Sequence, residues 1–410
     1  MADFQATYYG ARCLLQHRDP YKEAEFLRVY EEAGGGFPAD FKDSNLLRRA
    51  IPICINLPTA LVLTTPFAIF GGPAHLLWLT LEAGCLIFAA ILLWDLSGTR
   101  ALRVSLFLIC LVLANCEVLL SSGNLAGIAV SFCIIAIWCF LKERFVLAGI
   151  FCLSVSLLTK PQDAGLVWLF FLLAGAPYRK RALQTLVVSL ALSLPAVLWV
   201  SHVAPHWMQE LHANLLATSA HGDIRDPGPT SSAIHELEIV IDLQSVVSVF
   251  RDDPHVYNPT TYLLCGALLL VWAIRTLRSR SSHARDWLAL AAIVPLTMLV
   301  SYHRPYDAKL LLLTIPACAM LWSEGGPIAW AAVLINTAGI LLTSDIPLAI
   351  LLILNDYLHV SAVGILGKIL TVVLLRPATL SLLVVATFYL WVYVRRASDT
   401  IELAKTSVEA

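Results

Sequence analysis

Residues 75–94 read HLLWLTLEAGCLIFAAILLW. In an α-helix, twenty residues rise about 30 Å, which is the thickness of the hydrocarbon core of a bilayer. Glu82 is the one carboxylate of the stretch. A charge at the middle of a bilayer costs about 2.5–3.5 kcal/mol, so we expect Glu82 to face a cavity or a partner rather than lipid. The stretch predicts a membrane-spanning helix.

The rest of the chain repeats this apolar pattern. Of its 410 residues, 58% are hydrophobic and 14% are charged, whereas soluble domains have about 25% charged residues. The chain is therefore predicted to be an all-α polytopic membrane protein. Ten further apolar runs are long enough, or nearly so, to cross a bilayer: 104–121, 124–141, 145–160, 163–177, 182–204, 259–275, 286–302, 307–323, 328–343 and 378–394.

Basic loops predict the orientation of these runs, because Lys and Arg accumulate on the cytoplasmic side of a membrane. This orientation predicts that the outer side holds the N-terminal stretch, the turns 122–124, 159–161 and 301–307, and the loop 205–258. Five basic loops alternate consistently and are expected in the cytoplasm: Arg100 with Arg103, Lys142 with Arg144, 179–181, 275–285, and Arg395 with Arg396.

The predicted organisation has four segments. Residues 1–74 form an external N-terminal loop with juxtamembrane helices, and 75–204 form a first transmembrane module. Residues 205–258 form an external loop, and 259–410 form a second transmembrane module with a short cytoplasmic tail. The apolar runs 53–70 and 346–375 break the alternation if they span. We expect both to fold back at the outer face.

The charged start of the chain raises a question of topology. Residues 1–52 carry many charges of both signs, so they must lie in water or line a watery cavity. An external segment at residue 1 has no preceding helix to carry it across the membrane. We therefore expect a first helix to be missing upstream of Met1, and its addition would give twelve spans.

Several classes of function are not indicated. The ten cysteines form no CxxC pair and most lie in apolar runs, so neither disulfides nor zinc is predicted. His202 and His206 are four residues apart, but no HExxH pattern occurs, and we predict no metal and no cofactor. GxGxxG, Walker and GxSxG motifs are absent from the sequence. The net charge of −1 and the confinement of basic residues to short loops give no basis for binding nucleic acid.

Two groups of polar residues are candidates for a site at the outer face. Asp3 is followed by Tyr8 and Arg12 at spacings compatible with one helical face, although a solvated leader would look the same. The turn 301–309 carries His303, Arg304, Asp307 and Lys309, a composition suited to phosphate but also found in loops that are polar only for solubility.

Lys160 lies where a run reaches the outer face, against the charge bias. It is a candidate for contact with phosphate, and snorkelling to lipid headgroups is the alternative. Asn124 lies at the outer end of a neighbouring run and is a candidate cavity-lining residue, together with Tyr8, Arg12 and Asp307.

The order of several short motifs resembles bacterial glycosyltransferase family 87, a family of the GT-C fold. The resemblance spans roughly residues 1–320. Its motifs are short, and Gly123-Asn124 follows Ser where many relatives have Gly-Gln before Asn. The motifs are Asp3-Phe4 with Tyr8, Leu14-Leu15, Asp19-Pro20-Tyr21, Leu57-Pro58, Trp78, Gly123-Asn124, Ala148-Gly149 and Thr159-Lys160-Pro161.

This resemblance implies a metal-independent hexosyl- or pentosyltransferase with a GT-C-like helical bundle in the bacterial inner membrane. It implies a polyprenyl-phosphate sugar as donor, a glycan or glycolipid as acceptor, and an active site that faces the periplasm. Asp3 matches the catalytic Asp of the family by position and would be the general base. His303, Arg304 and Lys160 would hold the donor phosphate. A transporter or lipid flippase remains the alternative, and a non-catalytic membrane scaffold is a third.

Overall fold

A computed structural model of the chain describes residues 2–34, 53–97, 101–229, 231, 240–279, 282–345, 350, 353 and 364–409, with side chains as far as 396. Most of the described residues are helical and none lies in a strand, which confirms the predicted all-α polytopic membrane fold. Six helical stretches are long and apolar enough to span a bilayer: Ala74–Ser97, Leu102–Ser122, Ala176–Val203, Pro254–Arg278, His283–Val300 and Pro377–Arg396.

The helices are numbered here in chain order over the described residues. They are α1 (Ala2–Leu15), α2 (Glu23–Glu32), α3 (Pro58–Ile69), α4 (Ala74–Ser97), α5 (Leu102–Leu113), α6 (Glu117–Ser122), α7 (Ala126–Leu141), α8 (Val146–Thr159), α9 (Pro161–Leu173), α10 (Ala176–Val203), α11 (Trp207–Thr218), α12 (Gln244–Phe250), α13 (Pro254–Arg278), α14 (His283–Val300), a 3₁₀ helix (Pro305–Thr314), α15 (Ile315–Glu324), α16 (Gly326–Leu342), α17 (Gly364–Leu375) and α18 (Pro377–Glu409).

Each of the eleven predicted apolar runs falls largely on helix, but several helices are too short to cross a bilayer alone. Helices α7, α8 and α9 have 16, 14 and 13 residues, whereas about 20 residues span the hydrocarbon core. Helices α8 and α9 meet at a corner because Pro161 is the first residue of α9 and cannot continue the preceding helix. Short helices of this kind end at a cavity partway along the bundle.

The membrane core is built around α14. Of its most apolar 18-residue window, 78% is buried inside the protein, and it packs against α18, the 3₁₀ helix, α9 and α13. The same core contains Ile134 and Phe171 from the first predicted transmembrane module and Leu290 and Leu382 from the second. The two modules therefore share one apolar core.

A second apolar cluster holds the start of the chain. Phe4, Leu14 and Phe26 have no exposed surface and pack with residues of α3, α4 and α11. Helices α1 and α2 are therefore packed elements rather than a solvated leader. Glu32 of α2 lies on the outside of this cluster and pairs with Arg18, which lies between the two helices.

The segments predicted to fold back or to form loops contain helices. The run 53–70 contains α3, and the loop 205–258 contains α11 and α12. Of the run 346–375, α17 is described and most of 346–363 lies outside the described residues.

Candidate functional site

Asp3 is positioned by the residue that follows it. Phe4 stacks on Trp78 of α4, with ring centroids 5.1 Å apart, and Trp78 Nε1 donates a hydrogen bond of 3.1 Å to Gly123 O. Gly123 has φ +64°, and a Cβ on it would lie 2.8 Å from Phe4 Cβ. Only glycine allows both this left-handed conformation and the close approach of α1. The first turn of α1 is thus held against the turn that ends in Asn124.

Three side chains that are far apart in the sequence form a continuous polar chain. Asn124 Nδ2 donates a hydrogen bond of 2.8 Å to Asp3 Oδ2, and Lys160 Nζ donates one of 3.3 Å to Asn124 Oδ1. The Asn124 amide therefore fixes the carboxylate of Asp3 on one side and the ammonium of Lys160 on the other. Asn124 Oδ1 also accepts a hydrogen bond from the backbone N–H of Ala126 at 2.9 Å, which fixes the orientation of the amide.

Lys160 carries the positive charge of a buried ion network. Its side chain is 11% exposed, and Nζ donates a short hydrogen bond to Asp307 Oδ1 and lies 3.7 Å from Asp163 Oδ2. The corner between α8 and α9 aims Lys160 inward, because Pro161 keeps the preceding residue out of the helical conformation, at φ −149° and ψ 78°. Asp307 Oδ2 accepts a hydrogen bond of 2.9 Å from the backbone N–H of Arg304, which ties the network to the turn 301–307.

His303 is buried behind this network. Its Nδ1 donates a hydrogen bond of 2.8 Å to the Ser301 carbonyl, and its Nε2 lies 3.1 Å from Asp163 Oδ1. Burial alone lowers the pKa of His303, but the hydrogen bond to Asp163 and the charge of Asp307 outweigh that effect and raise the pKa above its usual value. Because both ring nitrogens face acceptors, the geometry favours the doubly protonated ring paired with Asp163.

A pair of guanidinium groups flanks one aromatic ring. Arg225 Cζ lies 4.3 Å from the centroid of the Tyr302 ring, and Arg304 Cζ lies 5.7 Å from it. Among the described residues, Arg225 Nε has no hydrogen-bond partner. Stacking on an aromatic face leaves the N–H edge of the Arg225 guanidinium able to bind an oxyanion.

These groups line one cavity of about 430 Å³. Its polar lining includes Asp3 of α1, Asn124 between α6 and α7, and Lys160, Arg225 and Arg304 from later in the sequence. Apolar residues complete the wall, among them Ile53, Ile55, Leu57, Leu125, Leu215 and Ile224. The cavity thus combines a carboxylate, several cations and an apolar surface.

The structure brings most of the predicted site residues together, and separates three of them from the cavity. Asp3, Asn124, Lys160, Arg304 and Asp307 line it. The other three predicted residues are absent from the described lining: His303, which is buried behind it, and Tyr8 and Arg12.

Tyr8 and Arg12 follow Phe4 along a face of α1 that is turned toward α4 rather than toward the cavity. The Tyr8 ring lies 5.8 Å from that of His75, and Arg12 Cζ lies 5.9 Å from the Tyr8 ring centroid. Residues four apart share a helical face, so Tyr8 and Arg12 lie on the face of Phe4. Asp3 lies on a neighbouring face of the same helix.

Arg225 was missed by the sequence reasoning. It lies between Asp223 and Asp226 in a turn-rich part of the loop 205–258, where one Arg beside two Asp gives no signal of a site. The backbone places it, because Arg225 N donates a hydrogen bond of 3.0 Å to Thr218 O at the end of α11.

Glu82 lies inside the bundle, away from lipid. Its side chain has no exposed surface and packs on Gly127 of α7, where a Cβ would lie 2.2 Å from Glu82 Oε1. Among the described residues neither carboxyl oxygen has a hydrogen-bond partner. Glu82 is not among the residues that line the cavity.

Within the part of the chain that the structure describes, two groups of side chains have the ligand types and spacing for a metal ion. Asp163, His303 and Asp307 form one, and His221, Asp226 and Asp252 form the other. In the first group the Lys160 ammonium already lies among the carboxylates, so a cation there would be repelled at close range. His202 and His206 belong to neither group.

Comparisons of the chain with protein-family models, with curated proteins and with solved structures found no match.

Proposed function

We propose that the chain is a membrane-embedded glycosyltransferase that moves a hexosyl or pentosyl unit from a polyprenyl-phosphate sugar to a glycan or glycolipid acceptor at the outer face of a bacterial inner membrane. The observation that carries the proposal is that one cavity is lined both by the Asp3 carboxylate and by the guanidinium pair Arg225 and Arg304. Glycosyl transfer from a lipid phosphate requires both groups, a base for the acceptor and cations for the departing phosphate.

Asp3 is the base in this proposal. Its Oδ2 is held by the Asn124 amide at 2.8 Å, so the carboxylate keeps one orientation when the acceptor enters. As the acceptor oxygen bonds to the anomeric carbon, Asp3 takes the hydroxyl proton. Pre-orientation of this kind lowers the entropy cost of reaching the transition state.

The cations receive the leaving group. The bond between the anomeric carbon and the phosphate oxygen breaks with its electron pair on the phosphate, and Arg225 and Arg304 stabilise the added negative charge. Lys160 contributes less, because Asp307 and Asp163 already balance its charge. A direct displacement by one base inverts the configuration at the anomeric carbon.

The test is transfer by the purified chain in lipid nanodiscs. The probes are synthetic polyprenyl-phosphate mannose and polyprenyl-phosphate arabinofuranose, radiolabelled in the sugar, with a bacterial glycolipid extract as acceptor. We expect labelled glycolipid and released polyprenyl phosphate. Asp3→Asn should lower turnover about 10²–10⁴-fold with donor binding retained, and Arg225→Gln should weaken donor binding.

Asp95→Asn is the matched control, since Asp95 is half-exposed at the far end of α4 and pairs with Lys142. It should keep parental turnover. Parental turnover in Asp3→Asn would refute the role of the base. Movement of the intact donor across proteoliposomes without transfer of sugar would instead establish a flippase.

A further inference from the structure

An apolar groove lies far from the candidate site, on the outside of α8 and α10. Its volume is about 610 Å³, and it is lined by Leu147 and Ile150 of α8 and by a stripe of α10 from Ala176 to Val188. Leu147 is 80% exposed and Val187 is 65% exposed. Thirteen residues separate Leu147 from Lys160, a rise of about 20 Å, so the groove and the cavity are at opposite ends of α8.

The groove changes polarity along its length in the order of a phospholipid. Arg179 and Lys180 are exposed at one end. Gln184 lies about one helical turn further on, next to Leu183, and the α10 lining beyond it is aliphatic, formed by Val187 and Val188. A phospholipid has the same order: an anionic phosphate, ester groups that accept hydrogen bonds, and an acyl chain.

The charged end of the groove lies at the N-terminus of α10, which favours an anion. No side chain caps this helix, and the positive end of its dipole lies next to Arg179 and Lys180. Arg179 Nε donates a hydrogen bond of 3.2 Å to Leu172 O, which holds the guanidinium at the rim of the groove. The remaining N–H groups of Arg179 can bind phosphate oxygens.

We propose that this groove binds one anionic phospholipid, with its phosphate on Arg179 and Lys180, its ester groups near Gln184 and an acyl chain along the aliphatic wall. From Arg179 to Val188 the helix rises about 13 Å, which is long enough for a phosphate, its ester groups and the first few methylene groups of an acyl chain. The charge complementarity selects an anionic lipid over a zwitterionic one. The site is independent of the proposed glycosyl transfer.

The test is lipid titration of the purified chain by native mass spectrometry, with phosphatidylglycerol and phosphatidylcholine of identical acyl chains. The parent chain should bind phosphatidylglycerol more tightly. In Arg179→Gln/Lys180→Gln this preference should be lost, because each cation near an anionic headgroup contributes about a fivefold change in affinity and two contribute about 25-fold. Binding of phosphatidylcholine should change little.

Val187→Trp tests the apolar wall separately, since it fills the groove and leaves both cations in place. It should weaken binding of both lipids. The matched control is Arg275→Gln/Arg278→Gln, which removes the same charge from the end of α13, and it should keep the parental preference.

Equal affinity of the parent for the two lipids would overturn the proposal. An unchanged preference in Arg179→Gln/Lys180→Gln would also overturn it, as would parental binding in Val187→Trp. An equal loss in the α13 control would show attraction by surface charge alone and would overturn it too. If the charge variant does not fold, Val187→Trp decides the outcome.

Discussion

Removal of the positive charge at Lys160 should destabilise the protein strongly. Lys160 is 9% exposed and its partners Asp307 and Asp163 are 2% and 1% exposed. In Lys160→Met the aliphatic stem is replaced by one of similar length, but two buried carboxylates lose their ammonium partner. Breaking a buried pair on one side costs about 3–5 kcal/mol, because the remaining charge is buried without compensation.

The double variant Lys160→Met/Asp307→Asn separates this cost from a loss of packing. It removes both members of the pair, and Asp163 keeps its partner His303 at 3.1 Å. Replacing both charges of a buried pair is usually close to neutral. We therefore expect the double variant to recover most of the loss, with a coupling energy of about 2–3 kcal/mol.

The matched control is Lys142→Met, at a Lys–Asp pair that is accessible to water. Lys142 Nζ lies 3.0 Å from Asp95 Oδ2, and the two side chains are 36% and 53% exposed. Such pairs contribute about 0–1 kcal/mol. Unfolding free energies are measured by sodium dodecyl sulfate titration in mixed micelles, with helix content as the signal.

Two results would refute this reasoning. If Lys160→Met costs no more than Lys142→Met, then water or another cation compensates Asp307 and the network is not dry. If the double variant is less stable than Lys160→Met alone, then the loss comes from packing and not from charge.

Three further outcomes are expected. Gly123→Ala should cost more than Gly325→Ala, because both glycines have positive φ but a Cβ at position 123 would also meet α1 at 2.8 Å, whereas nothing lies within 4 Å of position 325; equal losses of unfolding free energy would contradict a role for the close contact. On a cysteine-free background, an impermeant maleimide added outside cells should label position 23 in Glu23→Cys and not position 144 in Arg144→Cys; the reverse pattern would overturn the predicted orientation. Burial and a neighbouring carboxyl raise the pKa of Glu210 from 4.5 to about 7. The folded state therefore binds the proton more tightly than the unfolded state does. The contribution of this proton to the free energy of unfolding is complete below pH 4.5 and is lost as the pH rises through 7. Glu210→Gln should flatten the fall in unfolding free energy over that interval, and an unchanged slope would show that Glu210 is not its source.

The class of fold could be predicted from sequence because the bilayer restricts the answer. A run such as residues 75–94 must satisfy its backbone hydrogen bonds internally, and an α-helix is the one way to do so within a single segment. A helix boundary could also be predicted where a local residue sets it, as Pro161 does at the start of α9. The lengths of α8 and α9 were less predictable. A short apolar helix is stabilised mainly by packing against the surrounding bundle, and the sequence does not show that packing.

The composition of the candidate site was predictable in part for a related reason. A charged residue at the end of an apolar run is expensive unless it has a partner, and this drew attention to Lys160 and the turn 301–307, whereas Asp3 was singled out by the family resemblance. What the sequence could not give was the pairing. Asp3 and Asn124 are 121 residues apart, and Lys160 and Asp307 are 147 apart.

The sequence by itself determined which segments are apolar enough to lie in a membrane and which charges need partners, because both follow from the local balance of apolar surface, backbone hydrogen bonding and charge. Only the tertiary structure decided which charges neutralise one another, that His303 lies behind the cavity with Asp163, and that Arg225 reaches Tyr302 from a separate loop. Those outcomes depend on distances between side chains that are remote in the chain. Such distances are set by how short helices pack around α14 and by the close approach of α1 to Gly123. Neither sequence periodicity nor local propensity predicts that packing.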